Sequence, residues 1–330
     1  MRRAFTKSFL FVAALLVLGE LGVRVFYSRG LAGRFDYGYH PTAGFQENAD
    51  GTLDLVRAGG RRFLPQHYQQ RKPGRVFRIM VVGDSVPRGP SLADAYPARL
   101  AELLRQRGVE AEGWNLCLPG YGAHRCHLVL QKALDYQPSM VIRHLNNSNE
   151  YEDEREWRRS EEFKGWHPKN MLMKSALVRR LHEMKTEGVF WTLLPEKIRA
   201  QQGVNDAAAE IAASTDGRRI RVWKEGVENY LAGDVAACRK AGVPMLLVTQ
   251  VRMRGSGPQA TLDDSGLDEL ARSFASPDVA VLSMKDTLSG VDFVPLFMDT
   301  AHLRPDGHMA LAKAILDAMA KIANIPVPQR

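Results

Sequence analysis

Short apolar runs alternate with segments of helical spacing along the chain from residue 75 onwards. The first run, residues 76–82, is almost entirely apolar and stops at Gly83, which is typical of a strand buried in a parallel sheet. Strands that alternate with helices predict a parallel sheet with helices on both faces. The predicted strands are residues 76–82, 114–118, 140–145, 244–250 and 279–283, and the predicted helices are residues 92–107, 124–136, 221–241, 262–274 and 305–322.

Two stretches interrupt this alternation. Residues 29–74 are rich in Gly, Arg, Tyr and Gln without clear periodicity, and are predicted to form a linker and an irregular arm. Residues from about 150 to 217 show helical patterning only, and predict a helical insertion in one loop of the domain that spans residues 75–330. Such an insertion either shapes access to a site at the sheet edge or is a solvated helical decoration.

The first 28 residues have the pattern of a membrane anchor. Arg2, Arg3 and Lys7 precede a mostly apolar segment from Phe9 to Phe26, whose 18 residues are long enough to span a bilayer as a tilted helix. The residues after this segment make a poor signal-peptidase site, which favours an uncleaved signal anchor. A cleaved signal peptide and a buried helix of a soluble protein are the alternatives.

The charge flanking this segment predicts its orientation. The positive N-terminal charges favour a cytoplasmic N-terminus, so a single-pass helix in the inner membrane would place the domain in the periplasm or outside the cell. Arg24, Arg29 and Arg34 on the other side of the segment weaken this orientation signal. Arg24 lies four residues after Glu20, so the two side chains are expected to pair on one helix face.

Charge is distributed unevenly over the 330 residues. The net charge is +8, and residues 1–78 hold 13 basic and 5 acidic side chains, whereas the remainder is balanced. The excess therefore lies beside the predicted membrane surface, where it is favourable, and binding to nucleic acid is not predicted. The three cysteines have neither a zinc-site spacing nor the pattern of a disulfide framework, so we predict buried thiols and no metal. A single disulfide in an oxidising compartment is the alternative.

A serine follows the first predicted strand of the sheet. Ser85 lies in the sequence Gly83-Asp84-Ser85, at the carboxyl end where open α/β sheets place their sites. The next helix is predicted to begin only after Ser91, so an open loop would present Ser85 and its backbone N–H. A serine hydroxyl needs a base within hydrogen-bonding distance to act as a nucleophile.

A histidine near the end of the chain is the candidate base. Asp299 precedes His302 by three residues, in a loop just before the helix that is predicted to begin at Pro305. The carboxylate can accept one imidazole N–H, which leaves the other ring nitrogen free to take the serine proton. His308 is expected to pack at the start of that helix instead.

These blocks resemble the SGNH (GDSL-like) hydrolase family of serine esterases and lipases, including its bacterial membrane-anchored members. Gly83-Asp84-Ser85, with Gly89 four residues after the serine, is similar to the first block of the family, and Asp299-x-x-His302 to the last. The second block resembles residues 115–122, where Gly120 is the better match for the oxyanion-hole glycine and Gly122 the alternative. The resemblance covers residues 75–149 and 218–325.

The third block departs from the family pattern. The family usually has Gly-x-Asn-Asp there, whereas residues 145–150 of this chain read Leu-Asn-Asn-Ser-Asn-Glu. Asn149 is the favoured oxyanion donor, and an alignment on Asn147 is the alternative. Either side chain can donate through its amide.

The resemblance implies a fold, a reaction and a site. The fold would be the three-layer α/β/α sandwich of SGNH hydrolases, which is flavodoxin-like. Ser85 would be the nucleophile, His302 the base and Asp299 its orienting carboxylate, with Ser85, Gly120 and Asn149 forming the oxyanion hole. The reaction would be hydrolysis of an O-acyl or O-acetyl ester of a small molecule, lipid or glycan, without cofactor or metal. An O-acyltransferase acting on a cell-surface polysaccharide and an inactive membrane-tethered binding protein are the alternatives.

Overall fold

A five-stranded parallel sheet forms the centre of the domain. A computed structural model describes residues 2–27, 44–58, 61–146, 172, 175–178, 180–181, 217–255 and 257–322. The strands are β1 Phe45–Glu47, β2 Thr52–Ala58, β3 Arg61–Gln69, β4 Phe77–Gly83, β5 Ala111–Cys117, β6 Met140–Leu145, β7 Met245–Thr249, β8 Arg252–Arg254, β9 Thr261–Asp263 and β10 Val279–Ser283. The central sheet has the order β10-β7-β6-β4-β5, and all its neighbours pair in parallel.

Helices cover both faces of this sheet. The helices are α1 Arg2–Tyr27, α2 Ser85–Arg88, α3 Tyr96–Gln106, α4 Ala123–Ala133, α5 Gly217–Ala241, α6 Leu267–Ser273, α7 Met284–Leu288 and α8 Pro305–Met319. Met80 and Val82 of β4 belong to the apolar cluster under α4 and α5, whereas Ile79 and Val81 belong to the cluster under α3 and α8. The predicted three-layer α/β/α architecture is therefore confirmed.

The prediction of an irregular arm over residues 29–74 is wrong for residues 45–69. Strands β1, β2 and β3 form an antiparallel sheet of their own. Leu53, Leu55 and Phe63 are buried in the same cluster as β4 and α4. The pattern was hard to recognise in the sequence because few positions are apolar and polar residues occupy the rest of each strand. Residues 28–43 and 59–60 lie outside the described residues.

Side chains of β3 cover the open edge of the central sheet. Strand β5 is an edge strand, and unpaired backbone groups at an edge invite pairing with other chains. The Gln66 side chain donates to the Asn115 carbonyl at 2.9 Å and accepts from the Asn115 N–H at 2.8 Å. The Tyr68 hydroxyl donates to the Gly113 carbonyl at 2.9 Å. These contacts take the place of a sixth strand and join the arm to the domain.

Arg78 connects the arm, the sheet and the end of α4. Its guanidinium is fully buried and lies 4.5 Å from the centre of the Trp114 ring. It donates to the Tyr136 carbonyl at 2.6 Å, to the Gln69 carbonyl at 2.9 Å and to the Gln70 carbonyl at 3.1 Å. Because these acceptors lie in two separate segments, the end of β3 and the end of α4, the Arg78 side chain on β4 connects both segments to the sheet.

The helix predicted over residues 262–274 begins later than expected. Residues 261–263 form β9, which pairs with β8 as an antiparallel hairpin, and α6 starts at Leu267. The Asp263 carboxylate accepts the Ser265 N–H at 2.9 Å, and Ser265 has a φ of +53°, so a turn separates the strand from the helix. The other predicted elements of the central sheet and its helices match the structure to within a few residues.

The N-terminal helix α1 is a candidate membrane span. Among the described residues, Thr6–Phe26 is the one helical segment long and apolar enough to cross a bilayer, with 21 residues and a mean hydropathy of 2.2. Its large apolar side chains are exposed, and the Arg24 guanidinium pairs with the Glu20 carboxylate at 2.7 Å as expected. By length and composition, this helix is a candidate membrane anchor or signal sequence.

Most of the predicted insertion at residues 150–217 lies outside the described residues. The described part comprises residues 172, 175–178 and 180–181, together with Gly217 at the start of α5. The division into anchor, arm and domain with an insertion therefore stays a prediction for that region.

The contacts of Arg78 generate a stability prediction. We expect Arg78→Met to lower the free energy of unfolding by about 3 kcal/mol or more, because the buried Tyr136 carbonyl, two part-buried carbonyls and the Glu112 carboxylate lose their donor. Arg75→Met, at an exposed position three residues earlier, should change it by less than about 0.5 kcal/mol. Chemical denaturation of the detergent-solubilised protein measures both, and equal stabilities of the two variants would contradict the prediction.

Candidate active site

Ser85 opens a short helix at the carboxyl edge of the central sheet. The prediction of an open loop up to Ser91 is wrong here, because α2 begins at Ser85 itself, directly after β4 and Asp84. The Asp84 carboxylate accepts the Val86 N–H at 2.9 Å, which caps this helix. Ser85 remains only half-buried. Its side chain is therefore fixed by a capped turn and is still open to solvent.

Two glycines allow the segment around Ser85 to pack closely on its surroundings. A Cβ on Gly83 would lie 2.5 Å from Pro87 Cγ and 3.0 Å from His144 Cβ on β6. Gly89 has a φ of +70°, and its Cβ would lie 2.8 Å from Ala95 Cβ. The glycine that the first block carries four residues after the serine is thus required by both conformation and space.

The turn before α8 holds Asp299 and His302 together. One oxygen of Asp299, Oδ1, accepts the backbone N–H groups of Ala301 and His302, both at 2.8 Å. The other oxygen, Oδ2, lies 2.8 Å from His302 Nδ1. The same carboxylate therefore shapes the turn and orients the ring.

His302 also contacts Ser85, which lies 217 residues earlier in the chain. The distance from His302 Nε2 to Ser85 Oγ is 2.8 Å. An ionised carboxylate only accepts hydrogen bonds, so His302 Nδ1 carries the proton that is shared with Asp299. This tautomer leaves the lone pair of Nε2 facing the Ser85 hydroxyl, which donates to it. The structure thus brings together the three side chains that the sequence singled out.

Asp299 is held in its ionised form. Partial burial opposes ionisation, but hydrogen bonds from the His302 and Ala301 N–H groups and from the His302 ring outweigh it, so the pKa of Asp299 lies below its usual value. An ionised Asp299 stabilises a positive charge on the neighbouring imidazole.

Gly120 lies at the same edge of the sheet as Ser85. The Leu118 N–H, two residues earlier, donates to the Gly83 carbonyl at 3.1 Å, which ties the end of β5 to the end of β4. Gly120 has a φ of +75°, and its carbonyl accepts a hydrogen bond from the buried Arg125 guanidinium. Gly122 is the N-cap residue of α4.

The third block is described only up to Asn146. Asn146 is buried, and its amide donates to the Tyr121 carbonyl at 3.1 Å. The favoured oxyanion donor Asn149 and the alternative Asn147 both lie outside the described residues. Strand β6, which precedes the third block, lies between β4 and β7 in the sheet. Because β6 is parallel to β4, its carboxyl end lies at the same edge of the sheet as Ser85.

Asn115 connects the arm to the nucleophile segment, a role that sequence reasoning missed. Its side-chain amide donates to the Arg88 carbonyl at the end of α2, at 3.0 Å. Its backbone is paired with Gln66 of β3, and it is fully buried. The sequence signal for this role was the position of Asn115 as the first residue of the second block.

A buried ion pair lies under the carboxyl end of β6. Arg143 Nε lies 3.2 Å from Asp234 Oδ2 on α5, and Asp234 Oδ1 lies 2.7 Å from His127 Nδ1 on α4. Arg143 also donates to the His144 carbonyl at 3.0 Å. Sequence reasoning missed this cluster because its members lie on three elements far apart in the chain.

Two neutral histidines pack beneath the nucleophile segment. The Tyr96 ring lies between His144 and His308, with centroid distances of 6.0 Å and 6.2 Å. Burial lowers the pKa of His144 to about 3 and that of His308 to about 4, so both rings are uncharged at neutral pH. His308 packs at the start of α8 as expected, and His302 is the histidine that reaches Ser85.

The described residues contain no cluster suited to a metal ion. In that part of the chain, no group of three or more His, Cys, Asp or Glu side chains is arranged to hold one. Cys117, Cys126 and Cys238 are buried, as predicted, and these three residues form no disulfide bond.

The chain is similar in structure to several solved proteins at low sequence identity. One is a lipolytic protein of the G-D-S-L family from Desulfitobacterium hafniense, with 11% identity, 72% of this chain and 97% of that chain covered, and a TM-score of 0.41. Another is a catalytic mutant of an acetylxylan esterase from Geobacillus stearothermophilus, with 14% identity and a TM-score of 0.44; the match covers 77% of this chain and 97% of that chain. A third is TesA, with 13% identity and a TM-score of 0.44; the match covers 74% of this chain and 99% of that chain. No family model matches the sequence, and neither does any curated protein.

The burial of Asp84 generates a prediction about pH. Desolvation raises the pKa of Asp84 to about 6, although the Val86 N–H, His302 and Arg143 act in the opposite direction. Between pH 4 and pH 6 the folded state therefore binds more protons at Asp84 than the unfolded chain does, and this carboxyl lowers stability as the pH rises.

We expect Asp84→Asn to remove this dependence, since the amide oxygen can still accept the Val86 N–H. The difference in free energy of unfolding, variant minus parent, should therefore increase by up to about 3 kcal/mol between pH 4 and pH 7. This follows from the rise of the Asp84 pKa from 3.8 to about 6, since one pKa unit corresponds to about 1.4 kcal/mol. Denaturant titrations across this range measure it. The exposed Asp292, changed to Asn, is the control, and parallel pH profiles for the two variants would contradict the prediction.

Proposed function

We propose that this protein is a serine esterase that hydrolyses an O-acyl or O-acetyl ester through an acyl-enzyme on Ser85. One observation carries the proposal: Ser85, His302 and Asp299 form a continuous chain with a distance of 2.8 Å at each step. Nucleophile, base and orienting carboxylate in this arrangement are the requirements for activating a serine hydroxyl. An inactive binding protein has no need for this arrangement, which favours the enzyme over that alternative.

In the acylation step, Ser85 Oγ attacks the ester carbonyl carbon. His302 Nε2 takes the hydroxyl proton as the new C–O bond forms, and the resulting imidazolium is stabilised by the ionised Asp299. The tetrahedral intermediate then collapses, the bond to the alkoxy group breaks, and His302 gives its proton to the leaving alcohol. The acyl group remains on Ser85.

Deacylation repeats these steps with water. His302 removes a proton from a water molecule that attacks the acyl carbonyl, and returns the proton to Ser85 Oγ when the acid leaves. Ser85 is half-buried and His302 is partly exposed, so both residues are in contact with solvent. The chemistry requires only these side chains, and we propose that no cofactor or metal takes part.

The negative charge on the carbonyl oxygen requires hydrogen-bond donors. Ser85 is the first residue of α2, so its backbone N–H has no acceptor within that helix. We assign this group, the Gly120 N–H and the Asn149 amide to the oxyanion hole. Loss of one such donor typically slows catalysis by about 10²–10³-fold.

We further propose that α1 anchors the enzyme in the inner membrane with the domain outside the cytoplasm. The exposed apolar surface of Thr6–Phe26 needs a lipid environment, because contiguous apolar surface of this extent is unfavourable in water. Arg2, Arg3 and Lys7 favour a cytoplasmic N-terminus. The substrate would then be an acylated small molecule, lipid or glycan on the outer side.

Substitution of the nucleophile tests the mechanism. Ser85→Ala should reduce turnover of p-nitrophenyl acetate by at least about 10³-fold, because no acyl-enzyme can form. A fluorophosphonate probe should label the parent protein and leave Ser85→Ala unlabelled. The exposed Ser289, changed to Ala, is the matched control and should retain turnover and labelling. Turnover at the parent level in Ser85→Ala would rule out the mechanism.

Product analysis tests hydrolysis against acyl transfer. We expect free carboxylic acid to be the main product with p-nitrophenyl esters of increasing chain length, whether or not a polysaccharide acceptor is present. Water reaches the proposed acyl-enzyme through the open face of Ser85, so an acceptor should divert little of the acyl group. Mass spectrometry of the acceptor measures transfer, and acylated acceptor in excess over free acid would instead establish an acyltransferase.

A further inference from the structure

A carboxylate within the apolar helix α1 is bound by a distant part of the chain. Glu20 accepts hydrogen bonds from the Ser175 hydroxyl at 2.7 Å and from the backbone N–H groups of Ala176 and Leu177, each at 2.9 Å. The Arg24 guanidinium adds a fourth donor at 2.8 Å. The donors from Ser175, Ala176 and Leu177 belong to the region predicted as the insertion, more than 150 residues away in sequence.

Close packing accompanies these hydrogen bonds. A Cβ added to Gly19 would lie 3.2 Å from Leu177 Cδ2, so the absence of a side chain at Gly19 brings the two segments together. Ala176 is buried, and the Ser175 hydroxyl accepts the Val178 N–H at 3.2 Å, which stabilises the helical turn that follows. This interface therefore has both polar and apolar components.

The position of Glu20 along α1 indicates the depth of this interface. Glu20 lies six residues before Phe26, the last residue of the apolar span, which corresponds to about 9 Å along a helix axis. Helices that lie in the membrane interface bury their apolar face about 5–10 Å deep. A carboxylate at this depth is unfavourable unless protein donors satisfy it, as they do here.

The segment that binds Glu20 also exposes apolar side chains. Leu172 is 59% exposed and Leu181 is 46% exposed, at the two ends of the described part of this segment. The neighbouring surface of α1 continues with Val25 and Phe26, which are 70% and 82% exposed. Exposed apolar side chains are thus present both on α1 and on the segment that binds Glu20.

We propose that the described residues of this segment, 172, 175–178 and 180–181, lie on the bilayer surface, held against the anchor helix by Glu20. The partner of this segment is the lipid surface that surrounds α1. The inference rests on the proposed role of α1 as a membrane anchor, and it makes that helix part of the folded protein, because its removal would take away the acceptor that positions residues 175–177.

Depth-dependent quenching in vesicles tests the proposal. The full-length protein is reconstituted in vesicles of phosphatidylcholine and phosphatidylglycerol at 3:1, with bimane attached to a cysteine at one position and brominated lipids as quencher. Labels at Leu172→Cys and Leu181→Cys should be quenched at least half as strongly as a label at Phe26→Cys. A label at Val291→Cys, which is 52% exposed on the domain, should not be quenched.

Substitution of Glu20 tests the role of the carboxylate. Glu20→Ala should reduce quenching at positions 172 and 181 at least twofold while leaving position 26 unchanged. Arg24→Gln, which removes the neighbouring charge but not the three donors from residues 175–177, is the matched control and should keep the quenching. Quenching that is insensitive to Glu20→Ala would overturn the role of Glu20.

The anchor label separates this inference from the proposed membrane location. Quenching at position 26 without quenching at 172 and 181 would overturn the inference and leave the anchor in place. Absence of quenching at position 26 as well would overturn both. Esterase turnover by Ser85 is measured independently on the same preparations, so failure of the esterase proposal gives a different result from either outcome.

Discussion

The position of Ser85 depends on how closely the segment after β4 packs against β6 and the start of α8. At Gly83 the backbone approaches Pro87 and His144 so closely that no side chain fits. At Gly89, six residues later, the chain must take a positive φ beside Ala95 and the His308 ring. If either contact were looser, the 2.8 Å distance between Ser85 Oγ and His302 Nε2 would no longer be determined by packing. The neutral rings of His144 and His308 fill the space beneath without placing a charge there.

Contacts further from the reacting atoms support this close packing. Gln66 of the arm pairs with the backbone of Asn115, and the Asn115 side chain in turn holds the Arg88 carbonyl at the end of α2. On the other side of Ser85, the Arg143–Asp234 pair fixes the end of β6 against α5. Because buried polar groups are costly unless they are paired, these hydrogen bonds restrict each segment to one arrangement. The arm is therefore part of the scaffold of the site and not only a linker to the membrane.

The sequence predicted the central sheet well because parallel strands are buried on both faces and appear as continuous apolar runs, as in residues 76–82. The sequence also predicted that Ser85 and His302 lie at the same edge of the sheet, because Ser85 follows a strand and His302 precedes a helix. The strands of the arm were missed because burial on one face leaves few apolar positions, such as Leu53 and Leu55. The Arg143–Asp234 pair and the contacts of Glu20 could not be predicted, because they join segments whose proximity is established only by tertiary packing.

Asp84 and Asp299 lie near the same reacting atoms, but their surroundings shift their pKa values in opposite directions. Desolvation raises the pKa of Asp84 to about 6, whereas three hydrogen bonds to Asp299 outweigh its partial burial and keep its pKa below the usual value. The carboxylate that remains ionised over the wider pH range is thus the one in contact with His302 Nδ1. Asp84 instead uses its oxygen to cap α2, a role that does not require a negative charge. Separate environments therefore assign the two carboxyl groups to separate tasks: Asp84 positions the nucleophile, and Asp299 favours the imidazolium that forms when Ser85 loses its proton.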